Sequence, residues 1–233
     1  MHTVACPEGR MAPRDNSSGA EVAVVPAARV VDRFSYRVVK RAIDITGAVV
    51  GLAILSPLFL IVAVLIRRTS PGPAFYPWHV IGRGGQLFHG FKFRTMVENA
   101  DELKTRLMRK NEMTGPVFKM QRDPRITPLG RYLRKFSIDE LPQLWSVLKG
   151  DMSLVGPRPA GLREWERYQP WQRRKLSVTP GMTCLWQVNG RNRIKDFDTW
   201  VRLDLYYIDN WSLALDIKIL LRTILVVFQG TGV

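Results

Sequence analysis

Cysteine is scarce in this sequence. Cys6 and Cys184 are the only two in 233 residues, and no Cys-x-x-Cys pair or Cys/His cluster occurs. Neither a disulfide framework nor a zinc site is indicated, and a reducing compartment is the plain inference. Acidic residues are short as well: 20 Asp+Glu face 35 Lys+Arg, a net charge of +15 and a pI near 10.4. Such an excess needs an anionic partner, whether nucleic acid, a phosphate-bearing substrate or an anionic lipid surface. The opening stretch lacks the apolar core of a secretory leader. Its Pro, Gly, Ser, Asn and Ala predict a disordered tail over residues 1–35. What is present, 46% hydrophobic residues, suffices for one packed domain.

The strongest physical signal is ITGAVVGLAILSPLFLIVAVLI, from Ile45 to Ile66, which carries no charge. At 1.5 Å per residue a straight helix of that length reaches roughly 33 Å, enough to span a bilayer. Ser56-Pro57 sits at its middle. Proline removes a backbone donor and disfavours helical geometry in the residue before it, while a serine hydroxyl can satisfy a freed backbone group. Each leg then reaches only about half the bilayer. Lys40 and Arg41 precede the run and Arg67 and Arg68 come after it. Positive residues at both ends favour the cytoplasmic side for both. The expectation is a re-entrant helix–break–helix over residues 36–70, with a kinked spanning helix as the alternative, followed by a cytosolic-face domain over 71–233. Leu162 to Lys175 interleaves aromatic rings with cations, and Trp211 to Phe228 reads as an amphipathic helix. Both suit an interfacial protein, although single-stranded nucleic acid could use the first.

Ala74 to Met96 reads as two short strands around Gly82-Arg83-Gly84-Gly85. Alternation puts Phe91 and Phe93 on one face of the second strand and Lys92 and Arg94 on the other, where two cations could hold phosphate or simply face solvent. Asn99 to Lys110 resembles a charged, exposed helix. The densest region is Arg131 to Pro142. Ser137 and Glu140 have capping-box spacing, which places Asp139 and Glu140 at a helix N-terminus. By spacing alone capping explains them better than catalysis. The cations around them need more: Arg131, Arg134 and Lys135 precede the pair, Gly156-Pro157-Arg158-Pro159 projects Arg158 from a rigid turn, and Arg191 lies on a later turn. Cations from separate loops converging on two carboxylates would suit phosphoryl transfer, with a metal held by carboxylate oxygen.

At these residues the sequence resembles the bacterial monotopic phosphoglycosyl transferases, or sugar transferases, from about Arg37 to the C-terminus. The motifs are the apolar run broken at Ser-Pro, KFRTM (Lys92 to Met96), the long Phe118 to Pro159 stretch, PGMTCLWQVNGRN (Pro180 to Asn192), and Val201 to Thr223. The last two are more similar to the hexose-phosphate transferases than to the smallest members. The resemblance implies a mainly α fold with a small β-hairpin, a re-entrant membrane helix and amphipathic interfacial helices. It also implies transfer of a sugar phosphate from a UDP-sugar to polyprenyl phosphate, with release of UMP, at the start of polysaccharide or glycan assembly. Asp139 matches the nucleophile and Glu140 the Mg²⁺-binding carboxylate, with Asp139 beside it at the metal. Lys92, Arg134, Arg158 and Arg191 match cations for phosphate or nucleotide, and Arg94 is grouped with them. Trp78, Val80, Ser146 and Cys184 depart from the usual pattern.

The implied setting is the cytoplasmic face of a bacterial inner membrane. The expected partners are a UDP-sugar, polyprenyl phosphate and anionic lipids, without nucleic acid, and homo-oligomerisation is left open. Two other readings use part of the sequence. A basic membrane-associated nucleic-acid-binding protein explains the charge and the aromatics but not Asp139-Glu140. A noncatalytic scaffold for polysaccharide assembly explains the apolar run but leaves the acidic pair without a role.

Overall fold

The computed structural model describes residues 34–232. Most of the expected tail, with Cys6, lies outside the described residues. The boundary expected at residue 35 falls inside the first turn of a helix, α1, Phe34–Thr69. A helix of 36 residues is long for a single element. Here it runs through Pro57, which corrects the expected interruption into two helical legs. The physical reason lies one residue earlier. The N–H that Pro57 lacks would have bonded the carbonyl of Ala53. The Ser56 hydroxyl donates to that carbonyl at 2.9 Å instead.

Beyond α1 lie two strands, β1 (Phe75–Ile81) and β2 (Leu87–Phe93), paired antiparallel with Trp78 opposite Gly90 and Tyr76 opposite Lys92. Gly84 and Gly85 take the connection through positive φ, 66° and 81°, where a side chain would be strained. Next come α2 (Ala100–Leu107), α3 (Pro128–Lys135) and a tight 3₁₀ turn, Ile138–Gln143. The chain continues with α4 (Leu144–Lys149), β3 (Ser153–Val155) and β4 (Ala160–Gly161). It closes with α5 (Leu162–Trp165), α6 (Pro170–Arg173), β5 (Gly181–Thr183), α7 (Leu185–Val188), α8 (Phe197–Asp209) and α9 (Leu213–Phe228). β4 extends the expected hairpin to a sheet ordered β2-β1-β4, and β3 pairs with β5 in parallel. The result is a mainly helical body around a small sheet.

α1 rests on this body along its length. Its first half packs Ala48, Leu52 and Leu55 against Leu144, Met152 and Val80. Its second half packs Phe59, Val62 and Ile66 against Phe93 and Leu133. The contact is close: a Cβ on Gly51 would come within 2.9 Å of a Leu144 methyl, and one on Gly47 within 2.6 Å of a Leu154 methyl. Polar anchors hold both ends. Lys40 pairs with Asp216 at 2.7 Å and Arg41 donates to the carbonyls of Val147 and Leu148. At the other end Arg94 donates to Ser70 and to the carbonyl of Pro71. The face turned away is apolar and open, with Ile54 71% and Leu60 69% exposed. α1 is long and apolar enough to cross a bilayer, and only 11% of its most apolar stretch is buried. That combination makes it the candidate element for membrane association. Leu221, Leu225 and Phe228 leave α9 with an exposed apolar face too.

The aromatic-cationic stretch departs from the interfacial expectation in part. Trp171 is exposed, but Tyr168 and Lys175 are buried. Lys175 pairs with the fully buried Asp204 at 2.7 Å inside the body.

Candidate active site

The turn Ile138–Gln143 carries the acidic pair, and its geometry corrects the capping expectation. Ser137 is left-handed, with φ 56° and ψ 22°, and its side chain makes no capping bond. Residues 138–143 form a 3₁₀ turn that α4 continues, not a regular helix N-terminus. Glu140 does not reach back to Ser137; its Oε1 takes Lys92 Nζ at 2.8 Å and lies 3.7 Å from Arg158 Nη1. The pair is therefore held by β2 and by the Gly-Pro-Arg-Pro loop as well as by its own turn.

Asp139, Glu140, Lys92, Arg134, Arg158 and Arg191 all line one cavity of about 620 Å³. The seventh sequence candidate, Arg94, also borders it. Its guanidinium, however, is occupied by Ser70 and Pro71 just past α1, so it fastens the end of that helix to the segment after β2. Arg134 donates from Nε to Thr95 Oγ1 at 2.9 Å, which leaves its terminal nitrogens for other acceptors. Arg191 reaches Ser137.

The two carboxylates are driven in opposite directions. Burial and the neighbouring Glu140 charge push Asp139 above the usual carboxylate range, with Lys92 and Arg134 pulling back. Burial would raise Glu140 too, but Lys92 and Arg158 overcome it and bring Glu140 to about 2. Glu140 is thus a fixed anion, while Asp139 is a desolvated, more basic oxygen. Adjacent carboxylates divided in this way are suited to different tasks.

Several cavity residues were not singled out as site candidates by the sequence. Lys119 lies in the Phe118 to Pro159 motif without a role of its own; burial, then Arg158 and Arg191, lower its ammonium to about 8. Trp186 and Trp200 stack with centroids 3.9 Å apart at 7° and border the same space. Trp78, at one of the positions that depart from the pattern, lies under Lys92 with the ammonium 4.0 Å from its ring centre. Among the described residues no cluster of three or more His, Cys, Asp or Glu side chains could cage a metal ion.

Fold and site together define a helical, membrane-associated protein whose central cavity sets two carboxylates among cations. The chain belongs to the bacterial sugar transferase family, which matches residues 35–230. It is 49% identical over 200 residues to the galactosyl transferase CpsE of Streptococcus agalactiae, covering 86% of this chain and 44% of that protein. It is 46% identical over 202 residues to the undecaprenyl-phosphate galactose phosphotransferase of Salmonella typhimurium, covering 85% and 42%. The chain therefore spans less than half the length of these relatives. With the exopolysaccharide production protein ExoY of Rhizobium meliloti it shares 42% identity over 197 residues, covering 83% of this chain and 87% of that protein.

Proposed function

We propose that the protein transfers a sugar phosphate from a UDP-sugar to a polyprenyl phosphate, through an intermediate on Asp139. The observation that carries this reading is the division between the two carboxylates inside one cation-lined cavity. In the first half-reaction an Asp139 carboxylate oxygen attacks the phosphorus attached to the sugar. The bond from that phosphorus to the bridging oxygen breaks, and UMP leaves with the oxygen and its electron pair. In the second, a phosphate oxygen of the lipid attacks the same phosphorus and frees Asp139. Splitting the transfer lets one site serve two large substrates in turn. Desolvation strips Asp139 of the water that would shield it, and Lys92, Arg134, Arg158 and Arg191 offset the charge of the pyrophosphate.

Mg²⁺ fits this donor set. It is commonly held by one or two carboxylates, with substrate phosphates and water completing six oxygens. Glu140, with Asp139 beside it, would hold it, and the ion would supply neutralisation of the pyrophosphate charge.

The same reading has α1 enter the membrane and return to the cytoplasmic face of a bacterial inner membrane. Cations at both ends of the apolar run and the anchoring of both ends to one body support this. Anionic lipids complement the net charge. Relatives named for galactose make UDP-galactose the first donor to try, and those named for exopolysaccharide production point to polysaccharide assembly.

The test is turnover by detergent-purified protein with Mg²⁺, polyprenyl phosphate and a panel of UDP-sugars, followed by UMP release. Asp139→Asn is expected to lose turnover by at least a thousandfold while keeping its thermal midpoint. Normal UMP release by that variant rules out the assignment.

A further inference from the structure

Among the described residues two that are not glycine adopt positive φ, Ser137 at 56° and Arg191 at 39°. A left-handed backbone costs a residue with a Cβ about 1–2 kcal/mol and persists only where its surroundings enforce it. These two are partners although 54 positions apart: Arg191 Nη2 donates to Ser137 Oγ at 2.6 Å. Backbone bonds fix the turn on either side. Ser137 N–H donates to the carbonyl of Arg134 at 3.0 Å, and Glu140 N–H to the carbonyl of Ser137 at 3.2 Å. Asp139 lies between those fixed points. Since the hydroxyl caps nothing, helix capping does not explain why a serine is held in this conformation.

We propose that Ser137 is a positioning residue for Asp139. Its hydroxyl clasps Arg191 and thereby joins the turn that carries the reacting carboxylate to the loop that carries a phosphate-binding cation. A guanidinium has five N–H donors in a fixed plane, so the bond to Ser137 leaves others for a donor phosphate. The clasp registers phosphate and carboxylate against each other before reaction. Rate falls steeply when such registration slips, about a hundredfold for 1 Å in unfavourable cases. The inference rests on the assignment of Asp139 as the attacking group.

Three substitutions separate positioning from simple support. Ser137→Ala removes the acceptor and keeps the backbone strain. Ser137→Gly removes both. Ser137→Asn supplies a side-chain carbonyl and tolerates the left-handed conformation. The measurements are the rate of intermediate formation at saturating UDP-sugar, the donor concentration for half-maximal rate, and the thermal midpoint. Ser137→Ala and Ser137→Gly are both expected to slow the saturated rate about tenfold or more, the loss of one charge-assisted bond. The glycine variant should melt no lower than the alanine variant, and Ser137→Asn should regain most of the rate.

Wild-type rates in the alanine and glycine variants would overturn the proposal. So would a loss seen only in donor affinity or only in melting, or an asparagine variant no faster than alanine. If the wild-type protein itself forms no intermediate and shows no turnover, the assignment of Asp139 fails and the proposal falls with it.

Discussion

At the scale of single residues, burial and neighbouring charges set the charge state of the cavity's groups. Lys119, brought to about 8, is largely cationic at pH 7 and loses its charge as pH rises. Because the folded state lowers this lysine, burial of its charge costs stability below about pH 8, and the cost is relieved as pH rises towards the ordinary lysine value. Donor affinity should move the other way, weakening as pH passes through about 8. Lys119→Met should bind UDP-sugar about tenfold more weakly at pH 7 and show a flatter dependence between about pH 7 and 9. Titrations of donor binding at a series of pH values check both. Glu140→Gln should abolish turnover for a different reason: it takes the anion away from Lys92 and Arg158. Lys92 is already lowered by burial, with Glu140 opposing that. Breaking such a pair costs up to about 3 kcal/mol, so this variant should also melt lower than Asp139→Asn.

At this scale the sequence was readable where chemistry depends on residue type within one segment. Asp139-Glu140 and the nearby cations stood out in that way. Spacing misled where side chains found distant partners. Ser137 and Glu140 have capping-box spacing, but Arg191 and Lys92 take their side chains. Arg94 alternates with Phe93 as expected, but Ser70 and Pro71, just past α1, occupy it. Lys119, Trp186 and Trp200 reach the cavity only through tertiary folding, and no periodicity marks them.

At the scale of elements, α1 shows how local chemistry can override a residue's usual effect. The run of apolar residues and its charged flanks were plain in the sequence. The helix continues through Pro57, with the Ser56 hydroxyl taking the carbonyl that proline leaves open, so a return to the same face depends on a bend where the proline ring crowds the preceding turn, not on a break. Pro57→Ala restores the backbone donor and should favour a straight, spanning helix. Cysteine labelling of the two flanks in intact inner-membrane vesicles tests this. In the wild type both flanks should react from the cytoplasmic side, whereas in Pro57→Ala the second flank should lose that reactivity. Two unchanged flanks would show that proline does not govern the return.

At the scale of the whole molecule, one buried network fixes the two exposed apolar elements relative to each other. Asp216 on α9 receives Lys40 from α1, Tyr207 from α8 and Trp211, at 2.7, 2.7 and 3.1 Å. Lys40 also donates to the carbonyl of Val155 in β3 at 3.0 Å. Asp216→Ala should destabilise the protein by about 3 kcal/mol, a fall in thermal midpoint of roughly 6–12 °C for a chain of this size. The acidic pair lies elsewhere, so the saturated rate at low temperature should change little. No window of the sequence could show this network, since its members come from positions 40, 155, 207, 211 and 216. The long apolar helix and the cation-lined cavity are thus parts of one packed body.

The most direct test of the central claim is intact-protein mass spectrometry of the purified protein incubated with Mg²⁺ and a UDP-sugar, without lipid acceptor. The account predicts an added mass equal to one sugar phosphate, released UMP, loss of the adduct on addition of polyprenyl phosphate, and no adduct in Asp139→Asn. Turnover with lipid acceptor by an Asp139→Asn variant, or an adduct that maps to another residue, would contradict it.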